Sequence, residues 1–236
     1  MSLFQSLFPN VVKYWNMFLE GLQATFQMFF IAGIWILVIG GALGILLVVT
    51  RSDGIRPNKG IHVILEIVTN IFRSIPFIIL LIFLIPLTRF ITGTSIGVTG
   101  AIVPLVFGAV PFFARQVESA LSDVDPGKIE AARAMGSGTI GIIFRVYLHE
   151  ALPDLFRAVT ITSISLVGLT TSAGAVGAGG IGSFAINQGQ NMYYQDVVNL
   201  CVLFLLVFVS LLQLVGNSLA HASVNKKLSL SSPRWV

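Results

Sequence analysis

Charged residues are scarce in this sequence. They make up 10% of its 236 amino acids, whereas soluble globular domains carry about 25%. Apolar residues account for 55% of the chain, and the mean hydropathy is +0.90. This composition excludes an ordinary water-soluble domain and predicts a membrane protein.

Cysteine and histidine are also rare. The single cysteine, Cys201, lies in an apolar run and has no second cysteine with which to form an internal disulfide. The three histidines, His62, His149 and His221, are far apart and lack the spacing of metal ligands. We therefore expect neither an internal disulfide nor a metal site in this chain.

Five stretches of the chain contain no charged residue. They are 30, 15, 25, 38 and 29 residues long, at 21–50, 74–88, 90–114, 158–195 and 197–225. A helix crosses a bilayer core about 30 Å thick with roughly 20 apolar residues. The sequence therefore predicts an all-α polytopic membrane protein with five transmembrane helices. The predicted spans lie near 24–49, 70–88, 98–113, 158–178 and 197–219.

Small residues and prolines occur inside these spans. Pro76 and Pro104 lie in the second and third, where neighbouring helices can satisfy the freed backbone groups. Gly40 and Gly44 have the spacing of a close helix–helix contact. The first apolar run is longer than that of a signal peptide and no basic region precedes it, so we expect the first helix to be retained.

The distribution of lysine and arginine predicts the orientation. Five spans place the termini on opposite sides, and the cytoplasmic side carries the excess of cations. Lys13 and Arg89 lie on one side, and Arg73 stands at the start of the second span. The opposite side carries Arg51, Arg56, Lys59, Arg115, Lys128, Arg133, Arg145, Arg157, Lys226, Lys227 and Arg234. The N-terminus is therefore predicted outside and the C-terminus in the cytoplasm, which explains the net positive charge without nucleic-acid binding.

Residues 115–157 form the only long polar segment, with 11 charged residues among 43. Five are cations and six are anions, which argues against a simple basic patch for lipid. We expect a single transmembrane domain over residues 1–236, with 115–157 as a cytoplasmic loop. Within it, Asp125 and Pro126 have the pattern of an N-cap and a first helical residue, and Gly136 that of a helix stop.

This loop matches a known sequence pattern. Glu130-Ala131-Ala132, Gly136 and Val146-x-Leu148 have the order and spacing of EAA-x3-G-x9-I-x-LP, so the segment resembles the EAA loop of bacterial ABC importer permeases. Small residues allow close approach of a partner, and a carboxylate offers a charge-assisted hydrogen bond. The resemblance implies that the loop couples the permease to an ATPase. The implied coupling residues are Glu130, Ala131, Ala132, Arg133, Ala134, Met135 and Gly136.

The chain departs from the pattern after Leu148. His149 occupies the position of the consensus proline, and Leu152-Pro153 follows a few residues later. We therefore expect the next span to enter the membrane at a slightly different place.

A wider resemblance covers most of the chain. Five segments in the expected order resemble the permease subunits of the D/L-methionine importers: 73–77, 93–97, 110–115, 129–136 and 174–182. The resemblance implies the ABC importer permease fold and a multi-pass location in the inner membrane. It also implies two permease copies, two cytoplasmic ABC ATPase subunits that bind ATP and Mg, and an extracytoplasmic methionine-binding lipoprotein.

The sequence gives no support for nucleotide binding or catalysis by this chain. Gly177-x-Gly179-x-x-Gly182 matches the dinucleotide fingerprint as a string, but it follows an apolar span and lacks a βαβ context. It predicts close packing and a bend instead. The Walker A string G-x4-G-K-[ST] does not occur. We expect no catalytic residues and no cofactor in this chain, and therefore no enzyme activity of its own.

The fourth predicted span is rich in hydroxyl groups. These side chains either hydrogen-bond to backbone and neighbouring helices or line a path for a zwitterion with an apolar side chain. They are the candidate pathway residues: Thr160, Thr162, Ser163, Ser165, Thr170, Thr171 and Ser172. No ionisable residue except Arg73 lies in the predicted spans, which argues against ion coupling.

These observations indicate an inner-membrane permease that forms, as a homodimer, the translocation path of an ATP-driven importer, with methionine as the expected cargo. An importer of another small amino acid or solute is the first alternative. A channel or ion-coupled carrier without an ATPase is the second, and the coupling loop counts against it. The expected partners are ATPase subunits, a second copy, the binding lipoprotein and membrane lipid, and no nucleic acid.

Overall fold

The computed structural model describes residues 7–231, with side chains for residues 7–224. The side chains of the predicted cytoplasmic cations Lys226, Lys227 and Arg234 lie outside the described part. All regular structure in residues 7–231 is helical. The helices are α1 (Pro9–Lys13), α2 (Trp15–Thr50), α3 (Lys59–Ser74), α4 (Phe77–Phe83), α5 (Ile85–Thr92), α6 (Gly97–Ser122), α7 (Pro126–Ala134), α8 (139–150), α9 (Leu152–Ala178), α10 (180–190) and α11 (Gln195–Ser231).

Four helices in the described part are long and apolar enough to cross a bilayer. They are α2, α6, α9 and residues 195–224 of α11, with 36, 26, 27 and 30 residues, and each exceeds the roughly 20 residues that a crossing needs. The consecutive helices α3 and α4 pass the same test only as a pair bent by 105°. The described part therefore has four single-helix candidate spans, and five when the bent pair is counted.

The second span differs from the expectation of one helix over 70–88. Proline has no N–H and disfavours helical geometry at the preceding residue, and α3 ends at Ser74, immediately before Ile75-Pro76. Pro76 has extended backbone angles (φ −56°, ψ 135°) and caps α4. By contrast, α6 continues through Pro104, so proline is tolerated in the third span as predicted.

Helix α3 turns its polar side toward protein and its apolar side outward. Ile64, Ile67 and Ile71 are each more than half exposed, although they are among the most hydrophobic residues of the helix. On the polar side, His62 Nδ1 lies 3.1 Å from the Leu47 carbonyl oxygen, and Glu66 faces Arg115. This inverted pattern is typical of a helix that faces lipid.

The chain divides into two compact units, each assembled from three separate parts of the sequence. The first comprises 7–36, 74–109 and 163–211, and the second 37–73, 110–162 and 212–231. In the first unit, the Phe26 and Phe208 rings pack edge-to-face with centroids 5.2 Å apart. Such aromatic pairs are favourable beyond the area that they bury, so they help to hold α2 against α11.

In the second unit, α2 and α6 pack closely at glycine. A Cβ atom on Gly44 would lie 2.6 Å from the Ala114 carbonyl oxygen and 2.6 Å from Val117 Cβ. Gly40 is similarly close to Phe113. The predicted small-residue contact is therefore confirmed as a contact within this chain.

Successive glycines bend the chain between α9 and α10. Helical geometry is lost at Val176 and at Gly177, which has φ +92°. Gly179 and Gly180 also have positive φ angles, of +80° and +82°. The bend and close packing predicted for 174–182 are confirmed.

Candidate functional site

Helix α7 of the predicted coupling loop forms where the sequence places it. The Asp125 carboxylate accepts a hydrogen bond from the Gly127 N–H at 2.8 Å, so it acts as the predicted N-cap, with Pro126 as the first helical residue. The helix ends at Ala134, and Gly136 has φ +82°. The Gly136 N–H then donates to the Arg133 carbonyl oxygen at 2.9 Å, which closes the turn.

Helices α7 and α8, residues 126–150, form a unit that we call the coupling knob. The Lys128 ammonium contacts the Glu150 carboxylate at 2.7 Å and joins its two ends. Arg133 donates from Nη2 to the Gly54 carbonyl oxygen at 3.4 Å, which connects α7 to the loop after α2. Tyr147 is buried in the knob. Burial, aided by the negative charge of Asp53, raises the pKa of Tyr147 and keeps the phenol neutral.

The predicted coupling residues divide into exposed and inward-facing ones. Ala132 is buried, whereas Arg133 is exposed and donates to the Gly54 carbonyl oxygen. The remaining members of the predicted set are exposed: Glu130, Ala131, Ala134, Met135 and Gly136. These five, together with Arg133, are the part of the set that is accessible to a partner.

Sequence analysis did not identify two further exposed side chains of the coupling knob as candidate contact residues. Ile140 and Phe144 on α8 are 73% and 65% exposed, and Met135 is 79% exposed. Large apolar side chains at that exposure, on a polar loop, indicate a protein-binding surface. The available signal was the spacing of Ile140 and Phe144, four residues apart on one face of a predicted helix.

An arginine-centred network lies beside the knob at the end of α6. Arg115 contacts the Glu118 carboxylate at 2.7 Å, the Asn70 amide oxygen at 3.2 Å and the Glu66 carboxylate at 3.4 Å. Its Nε is buried and has no hydrogen-bond partner among the residues that the structure describes. The guanidinium group therefore joins α6 to α3. It belongs to a helix, whereas the sequence placed residue 115 at the start of the polar loop.

Most hydroxyls of the predicted pathway set bond to the backbone of α9. Thr160 donates to the Phe156 carbonyl oxygen at 2.7 Å, and Thr170 and Thr171 both donate to that of Val167. Ser172 donates to the Gly168 carbonyl oxygen at 3.0 Å. Thr162 is buried, and its hydroxyl has no hydrogen-bond partner within the described part of the chain. These contacts support the packing interpretation for the buried members.

A different subset of α9 is accessible. Ile161, Ser165 and Gly168 are exposed and Ser172 is partly exposed, and their spacing of three and four residues places them on one face of the helix. Ser163 is partly buried beside this face. Along the helix, the accessible face thus presents an aliphatic side chain, a hydroxyl, a glycine and a second hydroxyl.

The described residues contain little that is suited to catalysis. No group of three or more His, Cys, Asp or Glu side chains in that part could hold a metal ion. The string Gly93-x-Ser95-x-Gly97 has the letters of a nucleophile elbow, which requires a strand before the serine. Ser95 instead follows α5 and accepts a hydrogen bond from Arg89 Nε at 3.0 Å.

Known proteins resemble this chain over most of its length. The family described as binding-protein-dependent transport system inner membrane component matches residues 40–228. A probable D-methionine transport system permease of Vibrio cholerae is 40% identical over 90% of this chain and 96% of its own length. A methionine import system permease of Bacillus subtilis is 41% identical over 93% of this chain and 98% of its own.

A solved structure agrees with the sequence relatives. A chain of the MetNI methionine ABC transporter in an inward-facing conformation superposes with a TM-score of 0.85. It is 46% identical, and the match covers 88% of this chain and 96% of that one. The family match runs through all of α3 to α10 and is consistent with the helical fold and the apolar spans. The chain belongs to the family of binding-protein-dependent transport system inner membrane components.

Proposed function

We propose that this chain is the methionine-conducting permease subunit of an ATP-driven importer and that two copies form the path through the inner membrane. The similarity to permeases named for methionine import, over nine-tenths of the chain, carries the proposal. The 46% identity to a chain of a methionine ABC transporter supports it independently. A lipoprotein outside the membrane delivers the substrate in this scheme.

Uptake of labelled methionine tests the substrate. Cells that contain this chain with its ATPase and binding protein should accumulate labelled L-methionine, and cells that lack only this chain should not. Excess unlabelled L- or D-methionine should compete. If neither stereoisomer reduces uptake while another amino acid does, methionine is the wrong cargo and the importer class stands.

Energy enters through the coupling knob in this proposal. Its exposed apolar residues Met135, Ile140 and Phe144 would seat in a groove of the ATPase, and the Glu130 carboxylate would pair with a basic group there. The ion pair between Lys128 and Glu150 stiffens the knob, and the Arg133 contact with Gly54 ties it to the end of α2. ATP binding by the partner would therefore move the knob as a body and shift the permease between two states.

The proposed orientation places the knob in the cytoplasm and the loop between α10 and α11 outside. Cysteines at Asp123 and Met192, both exposed, should label oppositely with an impermeant maleimide in intact cells. Met192→Cys should react, and Asp123→Cys should react only after permeabilisation. The native Cys201 is 2% exposed and gives little background. Reaction of Asp123→Cys in intact cells would reverse the orientation.

The substrate path runs along the accessible face of α9 in this proposal. Ser165 and Ser172 supply hydroxyls for a zwitterion, Ile161 supplies an aliphatic surface, and Gly168 leaves room between them. Thr162 and Thr170 are buried and lie outside this path. Of the seven candidate hydroxyls, the proposal therefore assigns those of Ser165 and Ser172 to the path, although Ser172 also donates to the Gly168 carbonyl oxygen at 3.0 Å.

A bulky side chain at Gly168 should block this path. A Cβ atom there meets nothing within 4 Å in the described part, so Gly168→Trp should leave the fold and ATPase binding intact. Methionine uptake should fall by tenfold or more, which corresponds to an increase of about 1.4 kcal/mol or more in the activation free energy of transport. Leu206→Trp on α11, also exposed, is the matched control and should transport normally. Normal uptake by Gly168→Trp would remove α9 from the path.

A further inference from the structure

Glu20 is the only charged residue in α2, the longest candidate span. It is exposed, and its carboxylate has no hydrogen bond or ion pair with any residue of the described part. Ionisable residues within transmembrane helices are costly and usually pair with another group or mark a functional site. Glu20 lies in the second turn of α2, and its exposed carboxylate is available to a ligand.

Glu20 lines a cavity of about 230 Å³ between α2 and α10. Sites for drug-sized ligands measure roughly 300–1,000 Å³, so this cavity suits a smaller molecule. It is lined by Met17, Glu20, Gly21, Ala24, Gly179, Gly180, Ser183, Phe184, Asn187 and Gln188.

The wall beneath the cavity is fixed by a buried hydrogen-bond chain. The Ile181 N–H donates to the Thr25 hydroxyl at 2.8 Å, and that hydroxyl donates to the Gly21 carbonyl oxygen at 2.9 Å. A Cβ atom on Gly21 would lie 3.3 Å from the Gly180 carbonyl oxygen, so the two backbones are in close contact. The cavity is thus formed before any ligand arrives.

The cavity lining combines the Glu20 carboxylate with neutral polar side chains of α10. Asn187 donates from Nδ2 to the Ser183 hydroxyl at 3.1 Å, and Gln188 Nε2 lies 3.8 Å from the Met17 sulfur, a weak acceptor. Each amide nitrogen carries two hydrogens, so each retains a donor for a further acceptor. The site therefore combines one anionic acceptor, two amide donors and the apolar Met17 and Phe184.

We propose that this cavity binds a free α-amino acid as its zwitterion, with the ammonium group at Glu20 and the carboxylate at the amides of Asn187 and Gln188. An apolar side chain would lie against Met17 and Phe184. The ligand is the substrate class of the proposed function, on which this inference rests. The site is distinct from the accessible face of α9 and lies next to the glycine bend. In this proposal the substrate binds here first, on the outer side, and then passes along α9.

Protection of an introduced cysteine tests the site directly. Ser183→Cys is nearly isosteric and lines the cavity, and Ala24→Cys provides a second reporter on the opposite helix. Gln190→Cys, exposed on the same helical segment outside the cavity, is the control. The permease with its ATPase is placed in phosphatidylcholine vesicles, which contain no primary ammonium, and the rate of modification by N-ethylmaleimide is measured.

L-methionine should slow modification of both reporters and leave the control unchanged. N-acetyl-L-methionine, which lacks the ammonium group, should not protect. In a Glu20→Gln background, the half-protecting methionine concentration should rise by about tenfold or more, because a charge-assisted hydrogen bond is lost.

Three outcomes would overturn the inference. They are equal protection by N-acetyl-L-methionine, unchanged protection in Glu20→Gln, and protection by added phosphatidylethanolamine instead of methionine. ATP-driven methionine uptake is measured in the same vesicles after the binding protein is added on the side opposite the ATPase. Uptake without protection overturns only this site, whereas absence of uptake overturns the proposed function.

Discussion

Replacing Phe144 by aspartate should separate the permease from its ATPase. Phe144 is 65% exposed on α8, so the substitution leaves the interior of the permease unchanged. Aromatic anchors at protein interfaces often cost 2 kcal/mol or more when removed, and an unpaired carboxylate in an apolar groove adds a desolvation cost. We expect co-purification of the ATPase to fall by roughly thirtyfold or more, and uptake to fall with it.

His149→Asp is the matched control for this substitution. His149 is exposed on the same helix, and the change introduces the same side chain without removing an apolar anchor. This variant should retain the ATPase. Equal loss in both variants would indicate a general effect of negative charge, and full retention in Phe144→Asp would show that α8 is not a contact.

Replacing Gly136 by valine should uncouple the importer through backbone strain. Gly136 has φ +82°, and a Cβ atom there meets nothing within 4 Å. The substitution therefore causes no clash, but a left-handed backbone costs a branched residue about 1–2 kcal/mol or more. We expect the turn after α7 to rearrange and the Glu130 face to be displaced. ATPase co-purification, substrate-stimulated ATP hydrolysis and uptake should each fall by about tenfold.

Gly138→Val isolates the role of the backbone angle. Gly138 lies two residues away, also has nothing within 4 Å of a Cβ atom, and has φ −71°, which valine adopts freely. It should behave as wild type. Glu130→Lys tests the charge on the same face and should weaken docking. If Gly136→Val and Glu130→Lys both retain the three activities, the loop carries no coupling.

The coupling helix could be predicted because its signals are local. Asp125, Pro126 and Gly136 act through hydrogen bonds and backbone angles within a few residues of themselves, so their roles follow from sequence alone. The identity of the exposed members could not be predicted in the same way. Burial of Ala132 and exposure of Phe144 depend on how α7 and α8 pack against distant segments.

The membrane helices show the same limit. The charge-free stretches located the four single-helix candidate spans, but the second span is bent at Pro76. Its preceding helix α3 carries Glu66, a residue that sequence analysis did not assign to a membrane segment. Arg115, 49 residues further along the chain, supplies the partner for Glu66. Two residues that are so far apart in the sequence produce no periodic pattern that would indicate their contact. The polar face of α3 could therefore not be predicted.

The Glu20 cavity was missed for a simpler reason. The first span was predicted to begin near residue 24, which left Glu20 outside it, whereas α2 begins at Trp15. The lining residues on α10 lie more than 150 positions away from Glu20. Hydropathy therefore identified the span but gave no indication of the carboxylate within it.

Reconstituted transport tests the central claim most directly. Vesicles that contain this chain and its ATPase, with ATP on the knob side and the binding protein on the other, should accumulate labelled L-methionine against its gradient. Accumulation should stop with a non-hydrolysable ATP analogue, and vesicles that contain this chain alone should not accumulate methionine. Accumulation by the chain alone, or equal accumulation with the analogue, would contradict an importer that receives its energy through the coupling knob.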